Sequence, residues 1–212
     1  MLFLKQLDFQ EAEKLLKKYR IKTPGSYVAK TREEAAKMAK KLGFPVVLKI
    51  ISPDIIHKTE KKTVILCLMD EKQVENAFDE IRKRAGKAKF NGMLVQKQVS
   101  GREVIIGGKR DSQFGPVVLF GLGGIFVEIM KDISLRIAPI DKREALEMIK
   151  EIKGYPILTG ARGEKPVNID KLAEAMAAVS RMISENEIQE LDLNPVMVNE
   201  KDCIAVDVRM IV

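Results

Sequence analysis

The sequence predicts an α+β protein built as two lobes. Short apolar runs of strand length recur along the chain, and capped amphipathic stretches of helical period separate them. A charged link over residues 85–91 divides one set of these elements from a second. The expected layout is an N-terminal helix over 1–22 packing on the larger lobe, a smaller lobe over 23–93 and a larger lobe over 94–212.

Residues 9–19 (FQEAEKLLKKY) place their apolar groups on one helix face, and Tyr27–Ala29 read as a short strand. Thr31 with Glu34 predicts a capping box for a helix to Leu42, closed by Gly43. Residues 45–51 (PVVLKII) are a nearly continuous apolar strand, the kind buried on both faces, and 64–69 (VILCLM) are another. Asp70 caps a helix to about Arg84. The runs MLVQKQV (93–99) and REVIIGG (102–108), separated by Ser100-Gly101, predict a hairpin. PVVLF (116–120) is a buried strand ending in GLGG, and FVEIMKD and SLRIAPI alternate as strands. Asp141 starts a helix to about Ile152, YPILTGARGEK reads as a Gly-rich loop, and 169–184 form an amphipathic helix rich in Ala and Met. Two strands end the chain, 187–193 extending to 198, and 203–208.

A net charge of +7 raises the question of nucleic acid. Much of the excess lies on helix faces (KLLKKYR, KMAKK, RKRAGKAK), and with no Trp and only 3 Tyr the chain offers few stacking platforms. Small anionic ligands such as phosphates suit the charge equally well. No apolar run reaches membrane-spanning length, and MLFLKQLDFQEAEK turns charged too early for a secretory signal. Cys67 and Cys203 sit in apolar strand-like runs and read as buried free thiols, which points to a cytoplasmic location.

Several residues could carry chemistry. Lys49 shares its side of the pleat with Val47 and Ile51, a costly place for an ammonium without an anion or carboxylate nearby. The FGLGGIF segment follows a strand; it is either an anion-binding turn or a tight structural one. In IQELDLNP a period of two puts Glu190, Asp192 and Asn194 on one face, and in CIAVDVR it puts Ala205, Asp207 and Arg209 together. A turn at Asn199–Asp202 pairs Val198 with Cys203, and the same register sets Asn194 opposite Asp207 and Asp192 opposite Arg209. Hard oxygen ligands so placed suit Mg²⁺, which keeps most of its waters and joins substrate phosphates. A bulge of one residue would undo that register, and acids simply facing solvent would look the same. The single histidine, His57, stands in a polar, Lys-flanked connection, SPDIIHKTEKKT.

These residues resemble a family. The stretches FPVVLKIISPDIIHKTE, GREVIIG, QFGPVVLFGLGGIFVEIMKDISLRIAPI, YPILTGARGEKPVNI, ELDLNP and AVDVRMI are similar to the beta subunit of ADP-forming acetate–CoA ligases, relatives of succinyl-CoA synthetase. The resemblance covers nearly all of residues 9–212. It implies an ATP-grasp fold, two lobes each with a mainly antiparallel sheet and packed helices, holding ATP or ADP with Mg²⁺. It implies the phosphate-contacting lysine at Lys49, further nucleotide contacts at Lys58 and Thr59, a hinge at Gln96, Lys97, Gln98 and Val99, and a nucleotide-binding carboxylate at Glu103. Asn194 and Asp207 match the two Mg²⁺ ligands, and His57 matches the histidine that carries phosphate. The implied reaction is acyl-CoA + ADP + phosphate ⇌ carboxylate + CoA + ATP. It needs a CoA-binding alpha subunit carrying the acyl-CoA site and a first phosphohistidine, in an α₂β₂ assembly. Alternatives are a ligase module for another acid and a non-catalytic nucleotide sensor. The sequence departs from the family after the histidine, where Gly-Gly-Val is replaced by Lys62-Thr63-Val64 following Lys61.

Overall fold

The computed structural model describes residues 4–55, 62–124 and 131–212. It divides into two compact units: Pro24–Gln98, and the residues up to Thr23 together with Val99–Val212.

In the smaller unit, β1 (Ser26–Ala29), β2 (Val46–Ile51), β3 (Val64–Leu68) and β4 (Gly92–Lys97) form an antiparallel sheet in the order β1-β4-β2-β3. Helices α2 (Arg32–Leu42) and α3 (Glu71–Ala85) supply Ala35, Ala39, Val74, Phe78 and Ile81 to a core with Val46, Leu48, Ile50, Met93 and Val95. The opposite face of β2 is also buried at Val47 and Lys49, so the continuous apolar run is explained by cover on both faces. Thr31 Oγ1 caps α2 through the Glu34 N–H at 3.2 Å, but the Glu34 carboxylate turns to the Lys30 N–H instead of closing the box.

In the larger unit, helix α1 (Phe9–Lys18) opens on a full capping box: the Asp8 carboxylate accepts from Glu11 N–H at 2.8 Å, and Glu11 returns the bond to Asp8 N–H at 2.9 Å. Strands β5 (Arg102–Asp111), β6 (Gly115–Leu122), β7 (Ile133–Ile137), β8 (Glu190–Val198), β9 (Cys203–Ala205) and β10 (Arg209–Ile211) form the second sheet. Its order is β10-β8-β5-β6-β7, with β9 also paired to β8. Helices α4 (Lys142–Glu151) and α6 (Ile169–Glu185) join α1 in a core with Ile106, Phe120 and Leu193. Arg110 fastens α6 from β5, its Nη2 donating to the Ile183 and Asn186 carbonyls at 3.1 and 3.0 Å. Lys5 and Val212 meet in this unit and exchange backbone hydrogen bonds of 2.8 and 2.9 Å.

The α+β class with two mainly antiparallel sheets holds, with four corrections. First, 93–99 and 102–108 form no hairpin, because β4 pairs with β1 and β2 while β5 pairs with β6 and β8. The unit boundary consequently falls after Gln98, not after residue 93. Second, YPILTGARGEK is not all loop: α5 (Tyr155–Leu158) and a 3₁₀ turn (Ala161–Gly163) occupy it, with Pro156 in the first turn where its missing N–H costs nothing. Third, the last strand is broken into β9 and β10, and β8 begins only at Glu190. Fourth, Cys67 is exposed; only Cys203 is buried. Most of FVEIMKD lies outside the described residues. Among the described residues, no helix is long and apolar enough to cross a membrane.

Candidate functional site

The acidic strand pair gives the clearest geometry. On β8, Leu191 and Leu193 enter the core while Glu190, Asp192 and Asn194 face outward, as period-two alternation requires. The register also holds: Val198 pairs with Cys203 and Asp192 with Arg209, and between them the Val206 N–H donates to the Pro195 carbonyl at 3.0 Å. That continuation sets Asn194 opposite Asp207.

The face assignment needs correcting. Ala205 and Met210 both enter the core, so the last strand changes face between them, and Ala205 does not share the side of Arg209. β8 changes face at the same level, with Leu193 and Val196 both inward. Toward β5, a bulge between Val104/Val196 and Ile106/Leu193 absorbs the extra residue. Such bulges re-aim side chains, and Asn194 lies within this one. The Val208 N–H donates to Asp207 Oδ1 at 3.0 Å, fixing that carboxylate.

A groove of about 480 Å³ runs along this sheet face past Asn194, Asp192, Arg209, Lys109, Leu119 and Leu135. Asp192 keeps solvent contact, yet the groove crowds it, and burial raises its carboxyl above the usual range; Arg209 opposes this and Asp207 adds to it. Among the described residues no three His, Cys, Asp or Glu side chains gather as a metal cluster. Asn194 and Asp207 each offer a hard oxygen donor, the type Mg²⁺ takes one or two of beside water and phosphate.

In the smaller unit the run 96–98 divides its labour. Lys97 Nζ donates to the Gly43 and Phe44 carbonyls at 2.9 and 2.8 Å, closing the C-terminus of α2. Gln98 clasps Cys67, its Oε1 accepting the Cys67 N–H at 2.7 Å and its Nε2 donating to Sγ at 3.3 Å. Gln96 is different: it is 1% exposed and its Oε1 has no hydrogen-bond partner among the described residues. Lys49, 5% exposed, pairs with Leu94, and Val47 pairs with Gln96, so the two polar side chains are diagonal neighbours on one sheet face. An orphaned buried acceptor of this kind calls for a donor that the described residues do not supply. Val99 begins the larger unit.

Glu103, exposed on β5, is shaped by a contact that sequence reasoning missed. The Gly123 N–H donates to the Glu103 carbonyl at 2.8 Å, and a Cβ at Gly123 would lie 2.8 Å from Glu103 Cβ. This glycine of the FGLGG segment thus permits close approach to Glu103, and its N–H is already used. The glycine cluster was the available signal. His57, Lys58, Thr59 and Lys61 lie outside the described residues. The described flanks are held: Asp54 accepts from the Lys89 N–H at 2.7 Å, and Arg84 Nη1 donates to the Lys62 carbonyl at 2.7 Å.

The ATP-grasp domain family matches residues 4–212. The chain belongs to the ATP-grasp family. It is 50% identical to the beta subunit of acetate–CoA ligase [ADP-forming] I of Pyrococcus furiosus, over 95% of this chain and 89% of that one. It is 46% identical to acetate–CoA ligase [ADP-forming] I of Archaeoglobus fulgidus, over 93% of this chain but 30% of that longer one. Among solved structures, the dinucleotide-forming acetyl-coenzyme A synthetase 1 of Ca. Korarchaeum cryptofilum, in complex with coenzyme A, Ca-AMPCP and HgCl+, superposes with a TM-score of 0.94. That match has 43% identity and covers 98% of this chain and 93% of the other. The family resemblance read from the sequence therefore holds along the whole ATP-grasp chain.

Proposed function

We propose that this chain is the nucleotide-binding subunit of an ADP-forming acyl-CoA synthetase and moves phosphate between His57 and ADP/ATP. The observation that carries the reading is the paired strand break that sets Asn194 opposite Asp207 within a chain 50% identical to such a subunit. Lys49, buried on a stiff strand, binds the nucleotide's phosphate charge. Gln96 and the main chain of Lys97, Gln98 and Val99 line the base end, where the Lys97 and Gln98 side chains are already engaged. Glu103 completes the nucleotide contacts, with Lys58 and Thr59 beside the histidine. Asn194 and Asp207 would hold Mg²⁺, which would neutralise phosphate charge there.

In the ATP-consuming direction, a His57 ring nitrogen attacks the γ-phosphorus. The bond to the β,γ-bridging oxygen breaks, its electron pair leaves with ADP, and the imidazole gives up its proton. One solved relative, the Korarchaeum synthetase with Mg-AMPPCP, has its phosphohistidine segment pointing towards the nucleotide site. The Archaeoglobus relative is a longer chain of which this one matches 30%, and the Pyrococcus relatives are beta subunits. Those names support a partner subunit; in this reading the partner, an alpha subunit, carries the CoA site, the acyl-CoA chemistry and the first phosphohistidine, and joins this chain as α₂β₂ in the cytoplasm. A second reading, the same module serving another acid, is favoured by 44% identity to a 4-hydroxybutyrate–CoA ligase of Nitrosopumilus maritimus.

The test uses the only histidine. With Mg²⁺ and γ-labelled ATP the chain acquires acid-labile, base-stable label, and His57→Ala abolishes it while leaving nucleotide binding nearly intact. Label persisting in His57→Ala refutes the relay, and a wild-type chain that binds ATP without labelling supports a sensor.

A further inference from the structure

We propose that Arg84 is a positioning residue for the connection that carries His57, holding its C-terminal root in a backbone conformation that its own sequence disfavours. The inference rests on the phosphocarrier reading of His57.

Lys62 has φ 51°, in the left-handed region. There a Cβ crowds the neighbouring carbonyl oxygen, so only glycine enters freely. This chain therefore holds a glycine-like conformation with a lysine, and something outside the residue must stabilise it. Arg84, in the last turn of α3, donates Nη1 to the Lys62 carbonyl at 2.7 Å, and its Nη2 is braced by Glu80 one turn earlier. A planar guanidinium bonded to two acceptors is a stiff fork, and its charge strengthens the bond to the carbonyl.

The peptide it fixes is consequential. Thr63, the next residue, is 0% exposed, its carbonyl accepts the Ile50 N–H at 3.2 Å, and Val64 pairs with Lys49. Arg84 therefore acts just upstream of the ladder that seats Lys49, fixing the Lys62 peptide at the C-terminal root of the connection. The N-terminal root is fastened nearby, by Asp54 to the Lys89 N–H. Both roots are tied to the C-terminal end of α3 and the residues following it. Without Arg84, Lys62 relaxes toward negative φ and turns the 62–63 peptide; a glycine there would stay.

The experiment compares labelling rates with Mg²⁺ and γ-labelled ATP, per folded chain. Arg84→Met is expected to label about tenfold more slowly than wild type. ATP affinity stays within about twofold, because the Ile50–Thr63 and Lys49–Val64 ladder remains. Adding Lys62→Gly to Arg84→Met restores the rate, and Lys62→Gly alone labels at least as fast as wild type. A merely structural arginine would not be rescued by glycine. Thermal unfolding reads the same coupling without His57: Lys62→Gly raises the midpoint more in the Arg84→Met background than beside the native arginine. Should Arg84→Met fail to fold, Arg84→Lys, which keeps the charge but lacks the planar fork, takes its place. A wild-type labelling rate in the folded Arg84 variant, or a slow rate that Lys62→Gly leaves unchanged, overturns the proposal. Label surviving His57→Ala overturns the phosphocarrier reading instead, and the unfolding comparison still decides the role of Arg84.

Discussion

Asn194 and Asp207 stand opposite each other at the level where β8 and the final strand change face together. The Val196–Ala205 pair on one side and the Asp192–Arg209 pair on the other keep a common register, so the shift is shared. A face change in one strand alone would have separated the two side chains.

Asp207→Asn is expected to lower the affinity for ATP in the presence of Mg²⁺ by about tenfold. Asp207 is only partly buried, so the thermal midpoint should move by no more than about 2 °C. Calorimetric titration with and without chelator checks this. Unaltered Mg²⁺-dependent affinity in the folded variant would falsify the ligand assignment.

Gly123→Ala should damage both stability and nucleotide binding. The added Cβ meets Glu103 Cβ at 2.8 Å and the Glu103 carbonyl carbon and oxygen at 3.0 Å, so backbone has to move. A loss of about 1–3 kcal/mol is expected in denaturant unfolding, typical of overpacking. Nucleotide affinity in the folded fraction should fall with it, as Glu103 is displaced. An alanine variant with native affinity and stability would show that the strand and the following turn can part without consequence.

The two thiols should be distinguishable. Burial pushes the Cys203 thiol up to about 12, so at pH 8 almost none of it is thiolate, and side-chain burial blocks reagent as well. Cys67 is exposed. A disulfide reagent at pH 8 should therefore titrate one thiol in the native chain and a second only after denaturant is added. Two fast equivalents would place Cys203 at an accessible surface.

The strand register was legible where local geometry decides it. A tight turn, closed by the Asn199 N–H to the Asp202 carbonyl at 3.0 Å, transmits its register along both strands, which is why the Asn194–Asp207 juxtaposition follows from counting. The face change did not follow, because alternation assumes an unbroken pleat and the bulge lies against β5, a strand remote in sequence. The false hairpin has a similar cause. Alternation on either side of Ser100-Gly101 looks alike whether the strands pair together or join different sheets. What distinguishes the cases is tertiary: the space beside Gly101 is filled by the Val198 backbone, whose oxygen a Cβ would meet at 2.5 Å. The roles of Lys97 and Gln98 were hidden for the same reason, since Gly43 and Cys67 are distant in sequence. At Lys62 a signal was present: a family glycine replaced by lysine marks a conformation that another residue must then support.

The reciprocal hydrogen bonds between Lys5 and Val212 join residues very far apart in sequence within one unit. Closing so long a loop carries an entropy cost that must be offset before the contact contributes, so this seam is expected to form late in folding, after the sheet it borders.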